Sequence, residues 1–315
     1  ALRARIDGFA ETRFVGADGN WMVGAAVPLP RNWIGEKRML HLAAGAIVEI
    51  LDSAPDFASH GALLLCLAEP ERPGAPVRDI DGFARKVSGI ISDTTRIHTE
   101  IIQHGRPSGF VALERARKLL DAGKAKQVMI VGVDSYLTGG AVNGYRDRIL
   151  GPGNSNGFIP GEAAAAILCT ASGHGLRVSG LGLAHEKAFI YNRKDEDGLD
   201  LPLRADGMTS AYKTAFAEAG LGHDKISTKI GDLIGETFWF RQSALAVQRT
   251  QRELSDVHPI WPIAASLGNV GAAVVPLMLG WALAAVQKKY ARPGPFLIEA
   301  SGDDGACGAT VAEAA

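Results

Sequence analysis

Cysteine is scarce in this 315-residue sequence, which has only Cys66, Cys169 and Cys307. Three scattered thiols exclude a disulfide framework and a paired CxxC metal motif. Their odd number predicts reduced thiols and a cytoplasmic location. Aromatic residues are also few, at 7%. An excess of one charge is missing as well: 33 basic residues face 34 acidic ones, for a formal net charge of -1. That balance excludes bulk electrostatic capture of nucleic acid or of an anionic membrane. There is no P-loop, no G-x-G-x-x-G after a strand and no HExxH, and the eight histidines are dispersed without metal-like spacing. No cofactor and no metal are expected. The opening Ala1-Leu2-Arg3-Ala4-Arg5-Ile6-Asp7 has charge but no apolar run, so it does not read as a secretory leader.

Apolar residues make up 47% of the chain, and 38 glycines are about 12% of it against a usual ~7%. A chain this long buries roughly three quarters of its unfolded surface. It fits two domains or one large α/β unit. From Pro259 to Gln287 no residue is charged. Asn269, Pro276 and several glycines interrupt the run, so it predicts a helix buried on every face rather than a membrane span.

Helix and strand signals alternate. Helices are expected over Ile34 to Leu51, Asp79 to Gln103, Phe110 to Ala122, Asp206 to Ala219 and Phe238 to Leu254, and in the apolar stretch ending near Val286. Strands are expected over His60 to Ala68, Gln127 to Val133, Ala164 to Thr170, Leu176 to Ala184, Ile230 to Ile234, Trp261 to Ser266, Pro295 to Ser301 and Cys307 to Ala312. The charged segment Lys187 to Arg204 reads as a surface loop. Cys66, Cys169 and Cys307 all fall in or at the start of strands and read as buried. A turn, helix, strand and further strand follow Ser108-Gly109 and recur after Ser266-Leu267-Gly268, about 160 residues later.

Several of these segments resemble β-ketoacyl (3-oxoacyl-ACP) synthases of the thiolase superfamily. Asn156-Gly157-Phe158-Ile159-Pro160-Gly161-Glu162-Ala163-Ala164 is similar to the family's D-G-F-V-x-G-E-G-A element. Ser108-Gly109, a helix, Gly123 and Val128 to Ser135 resemble the stretch that follows the family's nucleophile. Gly268-Asn269-Val270-Gly271-Ala272-Ala273 resembles its third catalytic turn, and Ser301 to Ala309 its final glycine-rich turn. The resemblance runs from about residue 35 onward. It implies a thiolase-like five-layered α-β-α-β-α fold of two duplicated halves, residues 1–172 and 173–315. The family's opening strand is not seen.

The chemistry of such enzymes needs a thiolate to accept an acyl group and two groups to activate a malonyl donor and stabilise the oxyanion. The resemblance places the nucleophile at Arg106, and a guanidinium cannot be acylated or act as a base at neutral pH. Ser108 offers a hydroxyl at the same helix start, although an N-cap or packing role suits it better. The second position falls in Asp232-Leu233-Ile234-Gly235-Glu236-Thr237, without histidine. Glu236 there is a base or simply a capped helix start. The third holds Asn269. Glu162 reads as fixing its loop, and His104 as a helix-end residue.

Two functions follow. One is acyl-thioester condensation or transfer with acyl-CoA or acyl-carrier protein as partner. The other is a degenerate member that binds an acyl group or a partner subunit without catalysis, which the missing Cys and His favour. A homodimer is implied by the resemblance. A serine hydrolase built on Ser266 is the third possibility, and it fails because no histidine follows that serine.

Overall fold

The computed structural model describes residues 2–16, 19–92, 97–191, 198–199, 201–252 and 259–315. They form two compact units, one of Ala1–Ser172 with Ala264–Leu277 and one of Gly173–Ile263 with Met278–Ala315.

The first unit opens with a hairpin, β1 (Phe9–Val15) and β2 (Trp21–Ala25), that nothing in the sequence reading anticipated. Its polar and apolar residues are mixed along β1, so the period-2 signal is blurred. Then come α1 (Gly35–Ser53), the single turn α2 (Phe57–His60), β3 (Gly61–Cys66), α3 (Ile80–Ile91), β4 (His98–Ile102), α4 (Ser108–Asp121), β5 (Gln127–Ser135), α5 (Gly139–Gly144) and β6 (Glu162–Thr170). The long helix expected over Asp79 to Gln103 is not formed. Asp79 starts α3 by accepting a hydrogen bond from the Gly82 amide at 2.9 Å, but Ser92 is already extended. The alternating, β-branched His98-Thr99-Glu100-Ile101-Ile102 is a strand.

The sheet of this unit has the order β4-β3-β5-β6. β3 runs parallel to both β4 and β5, and β5 is antiparallel to β6. Leu63 and Leu65, two apart on β3, enter one core with Met39 and Ile47 of α1 and Phe83 and Val87 of α3. That is the alternation a pleated strand imposes.

The second unit contains β7 (Leu176–His185), α6 (Asp206–Ala219), β8 (Thr228–Gly231), α7 (Thr237–Thr250), β9 (Ile260–Pro262), β10 (Phe296–Ser301) and β11 (Ala306–Ala314). Before β10 lie the single turn α8 (Ala264–Leu267), in the first unit, and α9 (Val274–Gln287), whose first four residues belong to the first unit and the rest to the second. The strand expected over Trp261 to Ser266 stops at Pro262, which lacks the amide a strand interior needs. α6 runs over the expected residues and ends at Gly220, whose φ of +68° closes the helix in the left-handed region. Of the expected loop Lys187 to Arg204, residues 192–197 and 200 lie outside the described residues.

The second sheet is ordered β7-β11-β10-β8-β9. β8 is parallel to β9 and β10, and β11 is antiparallel to β10 and β7. Thus β9-β8-β10-β11 repeats β4-β3-β5-β6 in order and in strand direction. The recurrence of turn, helix and two strands is a repeat of topology.

Helix α9 is not buried on every face. Val274, Val275, Met278, Leu279, Ala282 and Ala285 are buried, whereas Leu277, Gly280, Trp281, Leu283, Ala284 and Val286 are partly exposed. Trp281 stacks on Trp261 with ring centroids 4.9 Å apart. Among the described residues no helix is long and apolar enough to cross a membrane.

Candidate functional site

The residues singled out in the sequence fall in both units. Arg106, Ser108 and Asn269 belong to the first, and Glu236 to the second.

Arg106 lies in the tight turn between β4 and α4. Gly105 before it has a φ of +56°, and a Cβ there would meet a Glu69 carboxylate oxygen at 2.0 Å. Only glycine permits both the backbone and that approach. The Arg106 side chain is not a surface group: it is 1% exposed. Ser108, the first residue of α4, is wholly buried. Its hydroxyl accepts from the His104 amide at 2.9 Å and reaches the carbonyls of Leu67 and Ile102 at 3.4 and 3.5 Å. It therefore ties the turn to the ends of β3 and β4.

Asn269 is 2% exposed. Its Oδ1 accepts from the Gly271 amide at 3.1 Å, an Asx turn that bends the chain into the start of α9. Its backbone bonds Ile159 and Gly161 on both sides, which joins this turn to the Gly-Phe-Ile-Pro-Gly-Glu element. Gly268 and Gly271 have φ of +65° and +54°.

Between these two turns lies a buried ionic cluster that the sequence reading missed. Arg72 places Nη2 2.6 Å from Asp134 Oδ1 and Nη1 3.2 Å from Oδ2. Both side chains are 1% exposed. The Arg72 guanidinium also lies 4.2 Å from the centroid of the Tyr136 ring. Burial works to lower the Arg72 pKa, yet Asp134, Tyr136 and Glu69 raise it above the ordinary guanidinium value. Asp134 accepts further from the amides of Ala272 at 3.0 Å and Ser135 at 2.7 Å. A Cβ at Gly271 would sit 1.9 Å from Asp134 Oδ2. One carboxylate thus fixes the Asn269 turn through the backbone. The signal was present in the sequence: Asp134 interrupts an apolar central strand, and a buried charge there needs a partner.

Glu162 fixes its loop as expected. It binds Arg38 Nε at 2.8 Å, the Val27 amide at 3.0 Å and the Ser135 hydroxyl at 3.2 Å.

In the second unit Glu236 is the N-cap residue of α7 and 3% exposed. Its carboxylate accepts from the Trp239 indole at 2.9 Å. Another buried cluster lies in the same unit. Lys229 Nζ is 2.8 Å from Glu299 Oε1, the Ser243 hydroxyl is 2.7 Å from the same oxygen, and Tyr212 donates to Oε2. Lys229 and Ser243 are also hydrogen-bonded.

None of the three thiols is poised for nucleophilic attack. Cys66 and Cys307 are buried as expected, whereas Cys169 is partly exposed. Desolvation pushes the Cys169 thiol up to about 12 and moves Cys66 and Cys307 further in the same direction. Among the described residues no group of three or more His, Cys, Asp or Glu is placed to hold a metal ion. Ser266 lies in the turn α8 and is buried, so it does not stand on a strand-to-helix elbow.

Order, strand direction and the Gly-Glu element together define a thiolase-like α/β fold of the ketosynthase kind. Comparison with solved structures shows the same fold. A β-ketoacyl synthase from Burkholderia phymatum is 15% identical, with a TM-score of 0.73 over 100% of this chain and 94% of that one. A Xenorhabdus doucetiae ketosynthase, solved with its chain length factor, is 12% identical, with a TM-score of 0.76 over 98% and 90%. A type II polyketide ketosynthase complex with its acyl-carrier protein, bound to the hexaketide, is 14% identical, with a TM-score of 0.77 over 100% and 94%. No protein-family model and no curated protein matches the chain.

Proposed function

We propose that this protein is a non-condensing, ketosynthase-like subunit that acts beside a catalytic partner of an acyl-condensing system. The observation that carries the reading is Arg106. It is buried where the resemblance places the acyl-accepting cysteine, and a permanent cation there can neither attack a thioester nor leave as a thiolate. The engagement of Ser108 and Asn269 with backbone groups favours the same reading. Solved neighbours of this fold include a ketosynthase with its chain length factor and one with its acyl-carrier protein. They make a ketosynthase chain the expected partner and acyl-carrier protein or acyl-CoA the expected small partner. A pair of identical chains is the form expected when no such partner is present.

Incubation with acetyl-CoA and malonyl-CoA, followed by intact-mass measurement, tests the proposal. The expected result is an unchanged mass and no release of CoA. A covalent acyl adduct that a single substitution abolishes, at Ser108 or elsewhere, would overturn it. Light scattering at micromolar concentration tests the pairing, and a monomer refutes it.

A further inference from the structure

Asparagine followed by glycine occurs twice in the chain, as Asn143-Gly144 and Asn156-Gly157. Asparagine is a thermolabile residue, and glycine after it removes an obstacle. With no Cβ in the way, the glycine's own backbone nitrogen can reach the Cγ of the side chain before it. Aspartate followed by glycine can close the same ring. Whether a pair reacts then depends on the glycine amide, because a nitrogen held to an acceptor must first give up that bond.

The fold ties down most of these amides. In the Asp-Gly pairs with both residues described, Gly8 donates to the Ser266 carbonyl, Gly82 to Asp79 Oδ1 and Gly207 to Glu186 Oε2, each at 2.9 Å. Gly305 donates to the Gly302 carbonyl at 3.1 Å. Gly144 is the last residue of α5, so its amide lies in the ladder of that helix. Gly157 differs. Its amide donates to no group among the described residues, it lies outside helix and strand, and Asn156 before it is exposed. The fold also requires glycine here, since a Cβ at 157 would stand 2.6 Å from both the Arg148 carbonyl oxygen and the Leu150 nitrogen. Asn154, two residues earlier, is protected. Its Nδ2 donates to the carbonyls of Asp147 and Ile149 at 3.0 and 3.2 Å, and the serine after it carries a Cβ.

We propose that Asn156 is a self-modification site, converted to aspartate and isoaspartate by the backbone of Gly157. The Gly157 nitrogen attacks Asn156 Cγ and forms an N–Cγ bond. The Cγ–Nδ2 bond breaks, and Nδ2 leaves as ammonia with the proton that the Gly157 amide gives up. Water then opens the cyclic imide. Addition at Cγ cleaves the new bond and yields aspartate, whereas addition at the main-chain carbonyl cleaves the original peptide bond and yields isoaspartate. Either product adds a negative charge to a loop that carries Arg146 and Arg148. Isoaspartate also lengthens the main chain just before Phe158, whose amide donates to the Arg148 carbonyl at 2.9 Å. The inference is independent of the proposed function.

Peptide mapping of the 315-residue protein after incubation in mildly alkaline buffer tests it. Mass spectrometry reads the exchange of NH2 for OH, and chromatography separates the isoaspartyl peptide from the aspartyl one. In the folded protein Asn156 should convert at least about tenfold faster than Asn143, whose reaction requires α5 to open first. In urea both glycine amides are released, and the two rates should converge. An unchanged Asn156 in the folded protein, equal rates at the two asparagines there, or faster conversion at Asn143 or Asn154 would each overturn the proposal. A gap of the same size in urea would place the cause in the local sequence rather than in the fold, and would overturn it as well.

Discussion

Each half of the molecule buries an ion pair against a sheet of the same topology, and the two pairs are held by different materials. In the first unit the Asp134 carboxylate is met by a guanidinium and by the amides of Ser135 and Ala272. In the second the Glu299 carboxylate is met by side chains alone: the Lys229 ammonium, the Ser243 hydroxyl and the Tyr212 phenol. Arginine presents a planar fork that matches a carboxylate, and lysine a compact point charge with rotatable donors. The first pair is therefore a brace on the backbone, joining the turn at Glu69–Arg72 to the turn at Asn269. The second is a rivet between helices and sheet. Repeating a topology does not repeat the polar chemistry inside it.

The comparison predicts an order of effects. Lys229→Met should be the most damaging substitution, because it leaves Glu299 buried with no cation. The expected loss is about 3–5 kcal/mol, read as a fall in urea midpoint. Replacing both partners, Lys229→Met with Glu299→Leu, should recover most of it, since a buried pair replaced by apolar groups is often neutral. Arg72→Met should cost less, near the low end at about 3 kcal/mol, because two backbone amides still solvate Asp134. If Arg72→Met proves the more damaging, the brace and the rivet have been assigned the wrong way round.

Tyr212 separates the clusters by pH. Burial, followed by the charge of Glu299, raises its pKa well above 10. Between the unfolded and the folded value the native state keeps a proton that the unfolded chain has lost. Stability should thus be full below about pH 10 and should fall as pH rises beyond it. Tyr212→Phe should cost about 1–2 kcal/mol at neutral pH, through the lost hydrogen bond to Glu299. It should also flatten the alkaline limb in unfolding curves between pH 8 and 11. An unchanged limb would mean that other groups set the alkaline limit.

Much of the fold was legible because its central strands are short apolar runs and its helices are bounded by glycine, as at Asp206 to Ala219. The Gly157 to Glu162 element was legible too, since Glu162 sits between two turns that need fixing. Three things were not. β4 follows α3 with a continuous supply of residues compatible with either structure, so only tertiary pairing with β3 decides it. The hairpin β1–β2 mixes polar and apolar residues on both faces. The ionic cluster joins Glu69 and Arg72, in a loop that reads as solvated, to Asp134 more than sixty residues later. Charge in a loop looks the same whether it ends in water or in a buried pair. As for the candidate residues, identity was legible at Arg106, but its burial was not, because burial depends on which neighbours close around the turn.

The smallest effect belongs to a pair that looks like the other two on a distance criterion alone. Asp206, at the first turn of α6, lies 2.5 Å from Arg249 and 3.3 Å from Arg204. The hydrogen bond from Arg249 holds its carboxyl below the usual value, and Arg204 adds to the shift. A depressed carboxylate stabilises the fold above its ordinary pKa near 4, and that contribution fades as pH falls through the folded value. The side chain is 55% exposed, so water and salt screen the pair and its worth is below about 0.5 kcal/mol. Asp206→Asn should lower the urea midpoint slightly at pH 7 in dilute buffer. The difference should vanish at 1 M salt, where the screening length is about 3 Å. The Arg72 and Lys229 substitutions should keep their full effect at that salt concentration, because no counterion reaches a side chain with almost no exposed surface. Equal salt sensitivity in all three would mean that solvent reaches both clusters, and the contrast between surface pair and buried pair would fail.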